Sequence, residues 1–259
     1  MTRLRHRPAL DLRVEIRGEL PREDAEYART RALALIADLG PDVHAARLRL
    51  TRPRDRSVTR PSVAQASVDL ADVGRVRVEL ATVTVREAVD LALGTLAGRA
   101  GRLRELGGIG LASAFESSYR PQYAPRPPAE RRIVRRKSVR PALRTPEQAI
   151  REMLALDYRF HLFTDALTGQ DGLVHRRPGD GGFRLVRAHS AVRLGGTELP
   201  LTESPHPAPR LEPAEAFRQL GLTCWPFVFH TDPGDGRGRV LYRRYDGHYG
   251  LITPIAGAR

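Results

Sequence analysis

The sequence predicts an α+β protein. Its N-terminal β-α-β-β-β-α domain, a sheet with two helices on one face, is followed by a linker and two tandem small α+β repeats pairing as a pseudo-dimer. Three observations carry this reading. Residues 11–106 alternate between apolar runs of period two and two long stripes of helical period. The residues after 106 break that order with Gly, Pro and Ser. A helix, an aromatic strand and a hairpin are then written twice.

The first domain (1–106) opens with the alternation Leu12-Arg13-Val14-Glu15-Ile16, which stops at Gly18. Pro21 suits a first helical turn, and Glu23, Asp24 and Glu26 lie near the positive end of the dipole. The predicted helix, 21–39, puts Ala25, Ala28, Ala32, Leu35 and Leu39 on one stripe and ends at Gly40-Pro41. Strands follow over 45–51, 63–70 and 75–83, the last two joined through Ala71-Asp72-Val73-Gly74. A second helix covers 85–106, with Val89, Leu93, Leu96, Ala100 and Leu103 spaced as a core stripe. On that spacing Arg102 falls opposite the stripe, and Arg99 and Arg104 flank it. Gly94, Gly98 and Gly101 each weaken this helix by about 1 kcal/mol relative to Ala, so packing must hold it.

Residues 107–131 read as a flexible basic linker, with Pro121, Pro125, Pro127 and Pro128 excluding a continuous helix. In the first repeat (132–189), Thr145 caps a helix over 146–156. An aromatic strand follows over 158–163, then a turn at 165–172 and the hairpin Leu173…Arg176-Arg177…Phe183…Val186. A Pro-rich connector (190–209) leads to the second repeat (210–259). Its helix covers 211–221, its aromatic strand 225–229 and its turn 232–238, before the hairpin Val240…Arg243-Arg244-Tyr245-Asp246-Gly247-His248-Tyr249-Gly250-Leu251-Ile252. Pro146 aligns with Pro213, Ala149 with Ala216, Phe163 with Phe229, and Arg176-Arg177 with Arg243-Arg244. Asp246-Gly247 suits a tight turn because both residues tolerate positive φ.

The net charge is +13, almost all from arginine, since Lys137 is the one lysine. Residues 1–106 carry +5, residues 107–140 carry +6 and residues 141–259 carry +2, so the short middle segment holds nearly half of it. Arginine pairs bidentately with phosphate, and an anionic partner follows, nucleic acid ahead of membrane. The single cysteine, Cys224, excludes an intramolecular disulfide and a Cys-rich zinc site; its aromatic neighbours favour a buried apolar role. The basic N-terminus lacks the apolar run of a secretory signal, and no segment reaches the roughly 20 apolar residues of a membrane span. A cytoplasmic protein is expected.

The run Arg132-Ile133-Val134-Arg135-Arg136-Lys137, the Pro-initiated helix, the F-x-x-F strand and the R-R…D-G-x-Y-G-L-I hairpin resemble the C-terminal domain of long-form ribosome hibernation-promoting factors. The second hairpin is close to that signature. The first departs from it, with Pro178-Gly179 inserted, Gly182 in place of a polar residue and Arg184 in place of the second glycine. Residues 11–106 resemble the family's ribosome-binding domain in element order, in Val14-x-Ile16-x-Gly18 and in Ala88-Val89-Asp90-Leu91-Ala92, without its run of lysines. Two C-terminal copies are similar to the hypoxia-associated variant of mycobacteria. The resemblance implies a hibernation factor that binds the decoding region of the 30S subunit through 16S rRNA. It would block mRNA and tRNA, inhibit translation and stabilise idle 70S ribosomes.

Tyr27 is the only Phe, Tyr or Trp of the first domain, so recognition would rest on phosphates and folded RNA shape rather than base stacking. Candidate RNA contacts are Arg22, Arg29, Arg31, Arg86, Arg99, Arg102 and Arg104 on the helices. A second cluster runs through Arg47, Arg49, Arg52, Arg54, Arg56 and Arg60, with Arg52 and Arg54 the chosen contacts. Tyr158, Phe160, Phe163, Trp225, Phe227, Phe229, Tyr242 and Tyr249 are the candidate repeat–repeat interface. His161, His175, His230, Asp165 and Asp232 lie in no catalytic or metal motif, so no enzyme, cofactor, metal or small-molecule substrate is expected. A protein-interaction or transcription-regulatory module acting through a sigma factor or DNA is the other reading. Pairing of the repeats within one chain implies a monomer.

Overall fold

The computed structural model describes residues 11–52, 58–106, 119–177, 181–190, 197, 199–223 and 225–255. The chain forms two compact units, Met1–Gln122 with Ala155–Asp157, and Tyr123–Leu154 with Tyr158–Arg259. Arg54, Arg56, Cys224 and the Pro178-Gly179 insertion lie outside the described residues.

The first unit contains β1 (Asp11–Arg17), α1 (Arg22–Leu39), β2 (Val43–Thr51), β3 (Ser62–Leu70), β4 (Gly74–Thr82) and α2 (Val85–Leu106). Its sheet runs β1-β2-β3-β4. The β1–β2 pair is parallel, which needs the crossover that α1 supplies, and the other pairs are antiparallel. Along β3 buried and half-buried residues alternate from Ser62 to Leu70. The inner residues Ala64, Ala66 and Val68 are small enough to admit the helices closely. Helix α2 buries Val85, Ala88, Val89, Ala92, Leu93, Leu96, Ala100 and Leu103. At about 1.5–3 kcal/mol per buried Val or Leu, that face outweighs its three glycines.

The second unit contains β5 (Ile133–Val139), β6 (Leu143–Arg144), α3 (Pro146–Ala155), β7 (Phe160–Asp165), β8 (Asp171–Arg176) and β9 (Phe183–Arg187). It continues with β10 (Leu201–Glu203), α4 (Pro213–Leu222), β11 (Phe227–Thr231), β12 (Gly238–Arg243) and β13 (Tyr249–Pro254). Both helices start on capping boxes: Thr145 with Gln148, and Glu212 with Glu215. The aromatic strands begin two residues later than predicted, at Phe160 and Phe227.

The two sheets are β10-β9-β8-β7-β6 and β11-β12-β13-β5. Each therefore ends in a strand that precedes the helix of the other repeat. β5 opens the first repeat, ahead of its helix, and pairs in parallel with β13 of the second. β10 precedes the second repeat and pairs in parallel with β9 of the first. The repeats are joined by reciprocal strand exchange. The predicted Pro-rich connector 190–209 contains an edge strand, Leu201–Glu203, directly after Pro200, a position at which a sheet tolerates proline.

Strand registers match copy for copy. Phe160 pairs with His175 as Phe227 does with Tyr242, and Thr164 with Asp171 as Thr231 does with Gly238. Phe160 is thus equivalent to Phe227 and Phe163 to His230, which corrects the predicted Phe163–Phe229 alignment. The shared core between the repeats contains Leu162, Leu173, Ala208, Phe229 and Val240, with Phe160, Phe227 and Ile252 against it. Phe160 lies 4.7 Å from Phe227 and 6.1 Å from Tyr242, centroid to centroid.

The predicted interface set therefore divides. Phe160, Phe227, Phe229 and Tyr242 meet between the repeats. Tyr249 belongs to the second repeat's own core with Ala216, Leu220, Val228, Leu241 and Leu251. Phe163 is buried over Gly172 inside the first repeat. Tyr158 and Trp225 precede their strands and are exposed, because the chain there has not yet entered the sheet.

Two glycines explain the signature of the second hairpin. Gly247 has φ +78, and a Cβ there would sit 2.7 Å from the carbonyl oxygen of Ala124. Gly250 lies under the Tyr242 ring, which leaves no room for a side chain. In the first repeat the equivalent pair is His175 and Arg184, so both members changed together.

Ala124 belongs to the stretch predicted to be flexible linker. Its described part is packed instead: the Ala124 N–H donates to Tyr245 O at 2.8 Å, and Tyr123 stacks on Tyr245 at 5.4 Å. Arg126 Nε donates to Asp246 O at 3.2 Å. The prolines that exclude a helix fix an extended path, including one 3-10 turn at Pro128–Glu130, across the hairpin.

Candidate nucleic-acid interface

In the first unit the predicted arginines fall into three settings. Arg22 and Arg29, two turns apart on α1, share an exposed face. Arg22 reaches Glu26 at 2.9 Å, a one-turn pair worth only tenths of a kcal/mol, while Arg29 has no ion pair among the described residues. Arg52 is also exposed and without an ion pair among them.

Arg31 and Arg86 line the seam between α1 and α2. Arg31 donates to Asp90 at 2.8 Å, and the Tyr27 hydroxyl donates to the same carboxylate at 2.6 Å. Burial pushes the Asp90 carboxyl upward, yet these hydrogen bonds outweigh it and hold the group below its ordinary value. Arg86 reaches Asp24 at 2.8 Å and lies over the Tyr27 ring at 5.3 Å. Both arginine side chains keep about half their surface in water, 48% and 50%. They hold the helices together and remain open to an anion, as surface pairs are weak.

Arg99 is the exception. It is 2% exposed, donating to Arg77 O at 2.7 Å and reaching Asp157 at 3.2 Å. Burial holds its pKa below the usual arginine value, against the pull of Asp157. The predicted flanking position is corrected: Arg99 follows Leu96 by three and precedes Leu103 by four, which puts it on the inner stripe. Arg102 is half-buried over Gly98. Arg104 reaches Asp72 at 2.7 Å, which holds that carboxyl below its ordinary value. Arg47 and Arg49 both pair with Glu15 across β1 and β2.

The second unit presents basic residues that the sequence-based site omitted. The outer strand β5 exposes Arg135, Arg136 and Lys137 in succession. Beside the second hairpin a cavity of about 170 Å³ is lined by Tyr123, Arg126, Arg131, Arg243 and Arg244. Arg244 pairs with Asp246 at 2.7 Å, and Arg131 Nη1 donates to the Tyr249 hydroxyl at 3.3 Å. Arg243 donates to Leu220 O and Thr223 O, satisfying carbonyls at the end of α4. The +6 charge of residues 107–140 was the signal for this surface. Among the described residues no His, Cys, Asp and Glu group is arranged to hold a metal, and no helix is long and apolar enough to cross a membrane.

Residues 128–185 and 201–251 each match the family of the Sigma 54 modulation/S30EA ribosomal protein C terminus. Curated relatives from two strains of Mycobacterium tuberculosis, CDC 1551 / Oshkosh and ATCC 25618 / H37Rv, each named "Dormancy associated translation inhibitor", are 43% identical over 51% of this chain. The chain spans about half, 55%, of their length. Among solved structures, the Protein Y N-terminal domain of Thermus thermophilus is 22% identical, matching 36% of this chain and 96% of that one at a TM-score of 0.29. A ribosomal subunit interface protein from Coxiella burnetii is 9% identical, matching 37% and 96% at the same score. Residues 128–185 and 201–251 thus carry the S30EA C-terminal domain twice, the feature by which the chain is similar to long-form ribosome hibernation-promoting factors.

Proposed function

We propose that this protein is a ribosome hibernation factor whose first unit binds 16S rRNA in the decoding region of the 30S subunit. There it blocks mRNA and tRNA, inhibits translation and stabilises idle 70S ribosomes. The observation that carries this reading is the doubled S30EA C-terminal domain, and the translation-inhibitor name of the 43%-identical relatives points the same way. The chemistry is compatible. Exposed arginines on α1 and along the α1–α2 seam offer phosphate contacts, and Tyr27, the one Phe, Tyr or Trp of residues 1–106, leaves little for base stacking. Arg22, Arg29, Arg31, Arg52, Arg86, Arg102 and Arg104 are the contacts we propose, together with Arg54, two residues after Arg52 in sequence. Arg99 supports them from inside. Arg126, Arg131 and Arg244 give the second unit a separate place for an rRNA phosphate. The repeats pair within one chain, so the protein acts as a monomer on single ribosomes.

Sucrose-gradient sedimentation of a lysate tests this. The protein is expected to travel with 30S and 70S particles and to come off steeply as salt rises, since each phosphate contact contributes about −0.7 to −0.9 to the slope of log K against log salt. The triple change Arg22→Ala, Arg29→Ala, Arg52→Ala should flatten that slope by about 2 while leaving the fold intact. Sedimentation away from ribosomes at low salt would overturn the reading in favour of a protein-interaction or transcription module.

A further inference from the structure

The exchange of strands raises the question of what stops each repeat from pairing with a second copy of itself. At the contact between repeats, Asp171 at the start of β8 meets Arg237 and Gly238 at the start of β12. Asp171 Oδ2 and Oδ1 accept from Arg237 Nε and Nη2 at 2.7 and 3.0 Å, and Oδ2 also accepts the Gly238 N–H at 2.8 Å. The Asp171 side chain is 4% exposed.

These residues are copies of one another. Asp165 N donates to Gln170 O as Asp232 N does to Arg237 O, and Gly169 and Gly236 both have φ +69. With the strand pairs Thr164–Asp171 and Thr231–Gly238, this makes Gln170 equivalent to Arg237 and Asp171 to Gly238. The first repeat thus carries Gln-Asp where the second carries Arg-Gly.

Like pairs fail in opposite ways. Two first repeats would set Asp against Asp, where a Cβ at position 238 would already fall 2.9 Å from the Asp171 Cβ. Two second repeats would bring two Arg237 groups to a contact that lacks the Asp171 carboxylate, with only Asp235 of their own turn beside them.

The exchanged strands repeat the message independently. Glu203 of β10 faces Leu185 of β9, and Arg136 of β5 faces the equivalent Leu251 of β13. Glu203 reaches the buried Arg187 guanidinium, which also donates to Asp165 at 2.7 Å. A β5 strand in that place would bring Arg136 towards Arg187 and add a cation to a site that is 1% exposed.

We propose that Asp171–Arg237 and Glu203–Arg187 form a pairing code that admits only the opposite kind of repeat as partner and rejects a second copy of the same kind. The code deepens the single-chain reading above by fixing the kind of partner that each repeat accepts.

The test uses the full chain and charge reversal. Asp171→Arg and Arg237→Asp should each lower the unfolding midpoint of the second unit by about 4–8 °C. The two chains mixed, unfolded and refolded together should form a two-chain species by light scattering, because each then offers what the other lacks. Neutral variants cover the case in which Asp171→Arg alone does not refold. Asp171→Asn combined with Arg237→Gln should then unfold no earlier than the worse of the two singles. Simple addition of the neutral effects, or a refolded reversal mixture that stays single-chain, overturns the code. A two-chain mass for the unaltered protein would instead overturn the single-chain reading and leave the code standing.

Discussion

The two repeats of the second unit agree in backbone register residue for residue and differ in what closes that backbone. The first repeat closes on charge: Arg187 lies wholly inside, held by Asp165 and by Glu203 from the exchanged strand. The second has Thr253 at the equivalent place, and its Asp232 pairs instead with Arg239, which keeps 20% of its surface in water. It closes on shape, with Tyr242 over Gly250 and Tyr249 in the core. One backbone therefore supports an ionic and an aromatic solution. Buried charge is costly when half-broken, whereas tight packing is costly when enlarged.

The sharpest break is expected at Asp165. Asp165→Ala leaves Arg187 buried with one partner fewer and should cost about 3–5 kcal/mol, against about 1–3 for Asp232→Ala, whose partner reaches water. Urea denaturation measures the difference, and hydrogen exchange assigns it to β8 or β12. Equal losses would show that the charge networks do not distinguish the repeats.

Next comes shape. Gly250→Ala should cost about 1–3 kcal/mol because Tyr242 must move, while Arg184→Ala at the equivalent, exposed position should change stability by less than about 0.5. The same denaturation series reads both.

The smallest effect is with pH. Burial holds His161, His175 and His230 below the ordinary histidine value. The unfolded chain takes up protons there that the folded unit resists. Stability is thus complete above pH 6.5 and falls as pH drops below it towards the lower folded values. Thermal melts from pH 7.5 to 5.5 should show this decline in the second unit. His230→Phe, which installs the first repeat's residue at that position, should shallow it.

Much of the first unit was legible because its strands alternate and its helices carry continuous stripes. Arg99 was misread because a charged residue on an apolar stripe looks like a flank until its spacing from Leu96 and Leu103 is counted. The exchanged strands were missed for a related reason. β5 is nearly all charged or exposed and β10 is three residues long, so neither shows the apolar alternation that announces a strand. Their place is set by partners far along the chain. The hairpin signature was readable as a turn, but its glycines serve a packed linker and an overlying ring, and no local pattern reports either. Of the candidate RNA contacts, exposure could be guessed from helical spacing, whereas the ion pairs that tie Arg31 and Arg86 into the helix seam could not.

Strand exchange also sets a timetable. β5 is the first strand of the second unit to emerge during synthesis, and its partner β13 is the last of the described strands. At roughly 5–20 residues per second, the edge that β13 will cover waits unpaired for on the order of ten seconds. An unpaired apolar strand would seek another chain in that interval. Arg135, Arg136 and Lys137 make this strand a poor template while it waits, so the charge that hid it from pattern reading also guards the nascent chain.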